Sequence, residues 1–222
     1  MAHFTREFID YLAGLASSNN RDWFQAHKRE YEHHVKRPFN EFVADIIDRV
    51  SLIDSAIDIR PRDAVFRIAR DIRFSKDKTP YKTHMAAVVS REGRRDTQCP
   101  ALYFHFGVDG IGIGGGIYQP DRENLSRIRR AIKRDGEVLV RALNRKRFKD
   151  LYGSLQGERN VRLPVEFASE VERYPLIANK QFYYYVEYAD PRMVLRKDLA
   201  DLVMRHYEVG REVNGFLAMA LE

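Results

Sequence analysis

The sequence predicts an α+β fold. It is read as one domain over residues 1–222, with a mainly antiparallel sheet of about five strands, an N-terminal group of three helices and further helices in the C-terminal half. Three observations predict it. Apolar residues recur at helical spacing through residues 1–55. The period changes to two within 64–118. Helical spacing then returns over the basic stretch 121–152 and again over 198–221, with one aromatic strand between them at 181–188.

The elements follow in order. Thr5 stands where a first helix is capped, and Phe8, Ile9, Leu12 and Leu15 form its apolar stripe. Asn19-Asn20 breaks that helix, and Asn20 caps a second one carrying Trp23, Phe24, His27 and Tyr31. Pro38 opens a third, with Phe39, Phe42, Val43, Ile46, Ile47 and Val50 inward. A first strand is expected over 66–74, where Phe66, Ile68, Arg70, Ile72 and Phe74 alternate with Arg67, Ala69, Asp71 and Arg73. Arg70 lies on the apolar face and therefore calls for an anionic partner. Further strands are expected at His84–Ser90, Ala101–Gly107 and Ile111–Tyr118. A polar turn at 91–96 and an Asp109-Gly110 hairpin connect them. Asp121 caps a helix with Leu125, Ile128 and Ile132 inward and its arginines outward. Residues 161–180 are irregular, Phe182–Tyr188 is a strand, and Asp198 caps a last helix that Gly210 interrupts.

Of the 222 residues, 44% are hydrophobic and 32% charged, the balance of a folded globular chain. No apolar run reaches the roughly 20 residues of a membrane helix, and the first residues lack the apolar core of a signal peptide. The expectation is a cytoplasmic protein with no membrane partner, and the single Cys99 agrees with a reducing compartment. Net charge is +6, concentrated at 121–149, where eleven Lys/Arg face four acids. Such asymmetry admits an anionic small molecule or a nucleic acid as partner, and equally a solvated helical face.

Two motifs stand out. Phe66-Arg-Ile-Ala-Arg-Asp-Ile-Arg-Phe-Ser-Lys-Asp-Lys-Thr-Pro-Tyr-Lys-Thr-His84 carries six Lys/Arg against two Asp from residue 67 onward, on a loop that Pro80 stiffens. Gly112-Ile-Gly-Gly-Gly116 precedes Tyr118 and Pro120. It has neither the order of a dinucleotide-binding fingerprint nor the Gly-Lys-Ser/Thr of a P-loop. Together with Asn20-Arg-Asp-Trp23-Phe24, these motifs resemble those of the DUF2461 family of bacterial and plant proteins. The resemblance covers the first 120 residues. The stretch from Leu163 to Pro175 departs from the family pattern, which has an aspartate-His-Pro step there. The resemblance implies a shared fold and site and supplies no reaction.

The candidate ligand-binding residues are Arg70, Arg73, Ser75, Lys76, Lys78, Tyr81, Lys82, Gly115, Gly116 and Tyr118. Lysine ammoniums and hydroxyls suit a phosphate, and the glycines permit close backbone approach to a ligand. His84 and His105, on strands expected to pair, are candidates for metal-free acid/base chemistry on a phosphodiester. No metal or cofactor is expected: HExxH is absent, and cations rather than carboxylates surround the histidines. His33 and His34 are adjacent on a helix and diverge by about 100°, so they do not chelate together. Trp23, Tyr31 and Tyr183-Tyr184-Tyr185 are either core or stacking surfaces for a base. Two functions stand side by side: binding of a phosphate-bearing ligand, and a non-catalytic interaction module in which the basic motif is structural.

Overall fold

The computed structural model describes residues 2–95 and 98–222. Helix α1 (Arg6–Ser17) starts after Thr5, whose hydroxyl makes no capping bond. Asn20 caps α2 (Arg21–Ala26) as its sequence position predicts, its Oδ1 accepting from the Trp23 N–H at 2.9 Å. The short α3 (Lys28–Glu30) passes through a π-turn at Tyr31–Lys36 into α4 (Arg37–Ser51), which has Pro38 in its first turn. A single turn, α5 (Pro61–Ala64), follows.

The sheet has four strands: β1 (His84–Val89), β2 (Ala101–Gly107), β3 (Gly110–Ile117) and β4 (Phe182–Tyr188). They are antiparallel and lie in sequence order. The expected strand at 66–74 is not among them. Within it Ala69 forms an isolated bridge to Tyr81, and Val65, just before it, forms one to Ala87. Asp71 and Asp77 explain the loss. Each side chain accepts from a backbone N–H two residues on, at Arg73 and Thr79, and so competes with a ladder. Asp96, the last residue of the expected polar turn, lies outside the described residues.

After the sheet, Asp121 caps α6 (Arg122–Asn144) by accepting from the Asn124 N–H at 2.8 Å. This helix bends at Asp135, beside Gly136, against which the Tyr174 ring is packed. Its arginines do not all face solvent. Arg129 is 5% exposed and donates to the Ile177 and Asn179 carbonyls at 2.9 and 3.2 Å, anchoring the segment before β4. Expected to be irregular, that segment holds a helical turn at Val165–Ala168 and a 3-10 turn at Pro175–Ala178. Short α7 (Lys146–Tyr152) and α8 (Val165–Ala168) precede β4. The last helix, α9 (Leu199–Met219), runs unbroken through Gly210. That glycine does not end the helix; it makes room. A Cβ there would fall 1.8 Å from the Tyr184 hydroxyl.

The chain divides into two compact units. One comprises Met1–Arg94, Tyr103–Ile113 and Glu187–Met204; the other comprises Arg95–Leu102, Gly114–Val186 and Arg205–Glu222. In the first, Phe4, Phe39, Phe42, Phe104 and Phe106 form a cluster of buried rings with centroids 5.2 to 6.4 Å apart. Each fully buried ring contributes about 1.5–3 kcal/mol of transfer free energy. The core of the second unit gathers Ile128 and Ile132 of α6, Phe148, Phe182, Tyr184, and Val213 and Phe216 of α9. No helix among the described residues is long and apolar enough to cross a membrane.

Candidate functional site

The basic motif folds as an irregular hairpin within the first unit. Its arms are tied by Phe66 N–H to Ala86 O (2.9 Å), Lys82 N–H to Ile68 O (2.9 Å) and Arg70 N–H to Pro80 O (2.8 Å). Residues 71–79 form the loop between them.

Arg70 meets the anionic partner its position calls for. One guanidinium nitrogen donates to the Asp77 carboxylate and to the Thr79 hydroxyl, and the other approaches the Ser75 hydroxyl at 3.5 Å. Arg70 first, and then the Thr79 N–H and hydroxyl, hold Asp77 down at about 2. The pair lies at the surface rather than in the core, with Asp77 more than half exposed. Arg73 is likewise engaged, donating to Asp71 at 3.0 and 2.7 Å. Lys78 donates to the Ile72 carbonyl at 3.0 Å, while Lys76 is exposed and forms no ion pair among the described residues.

Lys82 is different. It is half-buried, and its ammonium sits 5.2 Å from the centroid of the Phe66 ring. It makes no salt bridge to a carboxylate among the described residues. Burial depresses its pKa first, and the neighbouring Arg67 and Arg70 guanidiniums depress it further.

Next along the chain, the alternation of β2 buries Leu102, Phe104 and Phe106 and turns Tyr103 and His105 to its other face. There the His84 and His105 rings lie 4.9 Å apart, and the Tyr103 hydroxyl is 3.2 Å from His105 Nδ1. Burial, then the neighbouring His105 and Lys82, push His84 down to about 4. Burial also lowers His105, opposed by Glu187 and Asp109. In both cases the shift favours the neutral imidazole at pH 7.

The hairpin is fastened to the helices by Tyr81. Its ring stacks on Phe24 at 4.1 Å, and the Asn19 side chain binds both of its backbone groups. Trp23 is fixed in turn between Gly14 and the His27 ring, which stacks on it at 4.1 Å. Tyr31 is buried, its hydroxyl 3.9 Å from the Met85 sulfur. The helical motif Asn20–Phe24 and the basic motif therefore meet, through Phe24 and Tyr81.

Gly115, Gly116 and Tyr118 belong to the other unit. A Cβ on Gly115 would lie 2.4 Å from the Tyr184 hydroxyl, and one on Gly116 2.2 Å from the Phe182 carbonyl. Gly116 also has φ +94°, a conformation that disfavours any side chain. The close approach these glycines allow is to β4 and to the buried Tyr184 ring. Tyr118 is 59% exposed and meets Tyr183 edge to face at 5.2 Å.

A cavity of about 840 Å³ lies along the π-turn, lined by Lys28, Arg29, His33, His34, Arg37 and acidic neighbours, with no residue of the hairpin. The His33 and His34 rings touch edge to face at 4.8 Å there. No cluster of three or more metal-ligating side chains occurs among the described residues.

Three residues of this region were not legible as site residues: Asn19, Arg67 and Phe74. Asn19 reads as a helix breaker, Arg67 as one charge among many, and Phe74 as an inward member of a strand. In the fold Phe74 is 96% exposed. A run of charges on both sides of it, from Arg73 to Lys78, was the available signal.

A family model described as "Conserved hypothetical protein (DUF2461)" matches residues 7–216. No curated protein and no solved structure matches the chain.

Proposed function

We propose a function from the premise that this chain belongs to the DUF2461 family, a family of conserved hypothetical proteins: it binds a phosphate-bearing anion, such as a nucleotide or nucleic acid, through the hairpin from Phe66 to His84. The observation that carries this reading is Lys82. A half-buried ammonium beside two guanidiniums, with no carboxylate salt-bridged to it among the described residues, is an electrostatic cost that a bound phosphate relieves. Arg67 and the exposed Lys76 add charge to the same hairpin, and the turns at Asp71 and Asp77 order its loop before a ligand arrives.

His84 and His105 carry the catalytic extension of this reading. A neutral imidazole beside a lysine-bound phosphate can take the proton of an attacking hydroxyl as its oxygen bonds to phosphorus, while the ammonium balances the charge gathering on the phosphorus oxygens. The imidazolium so formed can return the proton to the ester oxygen whose bond to phosphorus breaks. This is metal-independent phosphodiester chemistry. A second reading is favoured by the paired cations: Arg70 and Arg73 already have carboxylates, as a purely structural clasp in a non-catalytic interaction module requires.

Calorimetric titration with inorganic phosphate, ATP and a short oligothymidylate, at low and high salt, separates the two. Anion binding predicts affinity that falls steeply with salt and is lost in Lys82→Met. The same substitution is expected to leave the melting temperature unchanged or to raise it, because it removes a buried, repelled charge. Absence of binding to all three probes at low salt would leave the structural clasp as the correct account.

A further inference from the structure

Among the described residues, the most exposed large aromatic ring stands in the middle of the basic loop. Phe74 is 96% exposed, although period-two alternation assigns it to the buried face of a strand. The backbone around it is held. Asp71 accepts from the Arg73 N–H at 3.2 Å and from the Arg73 guanidinium, the Ser75 N–H reaches the Ile72 carbonyl at 3.4 Å, and Lys78 donates to that same carbonyl at 3.0 Å. The ring is thus presented by a bonded loop, with the Arg73 guanidinium 5.9 Å from its centroid and Lys76 and Lys78 following at two-residue intervals.

We infer that this loop is a stacking platform for single-stranded nucleic acid: Phe74 receives a base, and Lys76, Lys78 and the cations of the hairpin arms receive the adjoining phosphates. The inference rests on the anion-binding reading and names its ligand class. An aromatic face bordered by cations matches a strand that offers a π-face and a phosphate in every nucleotide. A duplex is a poor match, because its base faces are covered by its own stacking. A free phosphate has no use for the ring. A membrane surface is a poor match too, since stable anchoring takes a far larger apolar area than one side chain and the loop carries Asp71 and Asp77 among its cations. Of the other candidates for stacking, Tyr31 and Tyr184 are buried, and Trp23 is packed between Gly14 and the His27 ring. Tyr183 and Tyr185 are partly buried on β4, where Tyr183 meets the Tyr118 ring.

The test uses the full chain, a fluorescently labelled oligothymidylate and anisotropy over a salt series. Phe74→Ala is expected to weaken binding by about 5- to 150-fold, the range of one lost base stack, with the slope of log affinity against log salt unchanged. Lys76→Ala and Lys78→Ala are expected to reduce that slope instead. Phe74→Trp should keep the affinity and show indole quenching on binding, above the response of the partly buried Trp23 in the parent. Because the Phe74 ring and Lys76 are in solvent, the Phe74 and Lys76 variants should melt with the parent, whereas Lys78→Ala also removes the bond to the Ile72 carbonyl and should melt slightly lower. Equal affinity of Phe74→Ala and the parent overturns the inference. So does a parent that binds phosphate or ATP but not the oligonucleotide, an outcome that leaves the anion-binding reading standing. Binding to phosphatidylserine vesicles in place of the oligonucleotide overturns it as well. A parent that binds none of these probes overturns both.

Discussion

Asn19 binds Tyr81 at both backbone positions, donating Nδ2–H to the carbonyl at 2.9 Å and accepting the N–H at Oδ1 at 3.1 Å. The side-chain amide does what a neighbouring strand would do, at the point where the hairpin passes the first helices. Asn19→Ala leaves two partly buried backbone groups without partners. We expect a loss of about 1–3 kcal/mol, read from urea denaturation. Asn19→Asp keeps the acceptor and loses the donor, so it should fall between the parent and the alanine variant.

The Arg70–Asp77 pair sets an acid limit on the hairpin. The folded pKa of Asp77, about 2, lies below its ordinary 3.8. A carboxylate lowered in this way contributes stability that is present above the ordinary value and disappears as pH falls toward about 2. Asp77→Asn should therefore reduce stability at neutral pH and flatten its dependence on pH below 4. Thermal melts at low salt would show it, and added salt should narrow the difference because the pair is exposed. Since Asp77 is left in water rather than buried, Arg70→Ala should still fold.

Two histidines act at higher pH. His84 and His206 both titrate near 4 instead of 6.5, chiefly because they are buried. His206 lies 2.6 Å from the Tyr152 hydroxyl in the second unit. The unfolded chain takes up these protons from about pH 6.5 downward, while the folded chain resists until about 4. Stability should therefore fall as pH drops through that window, by on the order of 3 kcal/mol for each group. Replacing each in turn by glutamine and measuring denaturation midpoints from pH 7 to 4 should remove that histidine's share of the slope.

Gly210 reverses a helix rule. In a helix interior Gly→Ala ordinarily stabilises by about 1 kcal/mol. Here the added methyl would collide with the buried Tyr184 hydroxyl, so Gly210→Ala should destabilise by about 1–3 kcal/mol. Tyr184→Phe removes the atom nearest that methyl. A double-mutant cycle should therefore show the two substitutions coupled, with the pair less damaging than the sum.

Much of the fold was legible because its signals are local. Asn20 and Asp121 cap the helices that their positions predict, and Ala101–Gly107 alternates visibly. What was illegible depends on contacts between distant residues. Gly210 looks like a helix breaker until Tyr184 is placed against it. Arg129 looks like a solvated charge until the Ile177 and Asn179 carbonyls turn toward it. Residues 66–74 have the period of a strand, but the side chains of Asp71 and Asp77 decide where two of the nearby amides go. At the candidate site, the need of Arg70 for an acid was readable from one face of one segment. Its partner was open between Asp71, Asp77 and an acid from the helices, and the bonds from Asn19 to Tyr81 span 62 positions in sequence.

The π-turn at Tyr31–Lys36 sets the phase of the helix that follows it. A π-turn holds one residue more than the α-turn it replaces, so deleting a single residue there would restore a regular helix. The cost would fall downstream. The residues after the deletion would rotate by roughly 100° and move by about 1.5 Å along the axis. Phe39 and Phe42 would swing away from Phe104 and Phe106, the rings they now touch. The surplus residue works like a key cut: the packing of Phe39 and Phe42 fixes the count of residues between Tyr31 and Phe39.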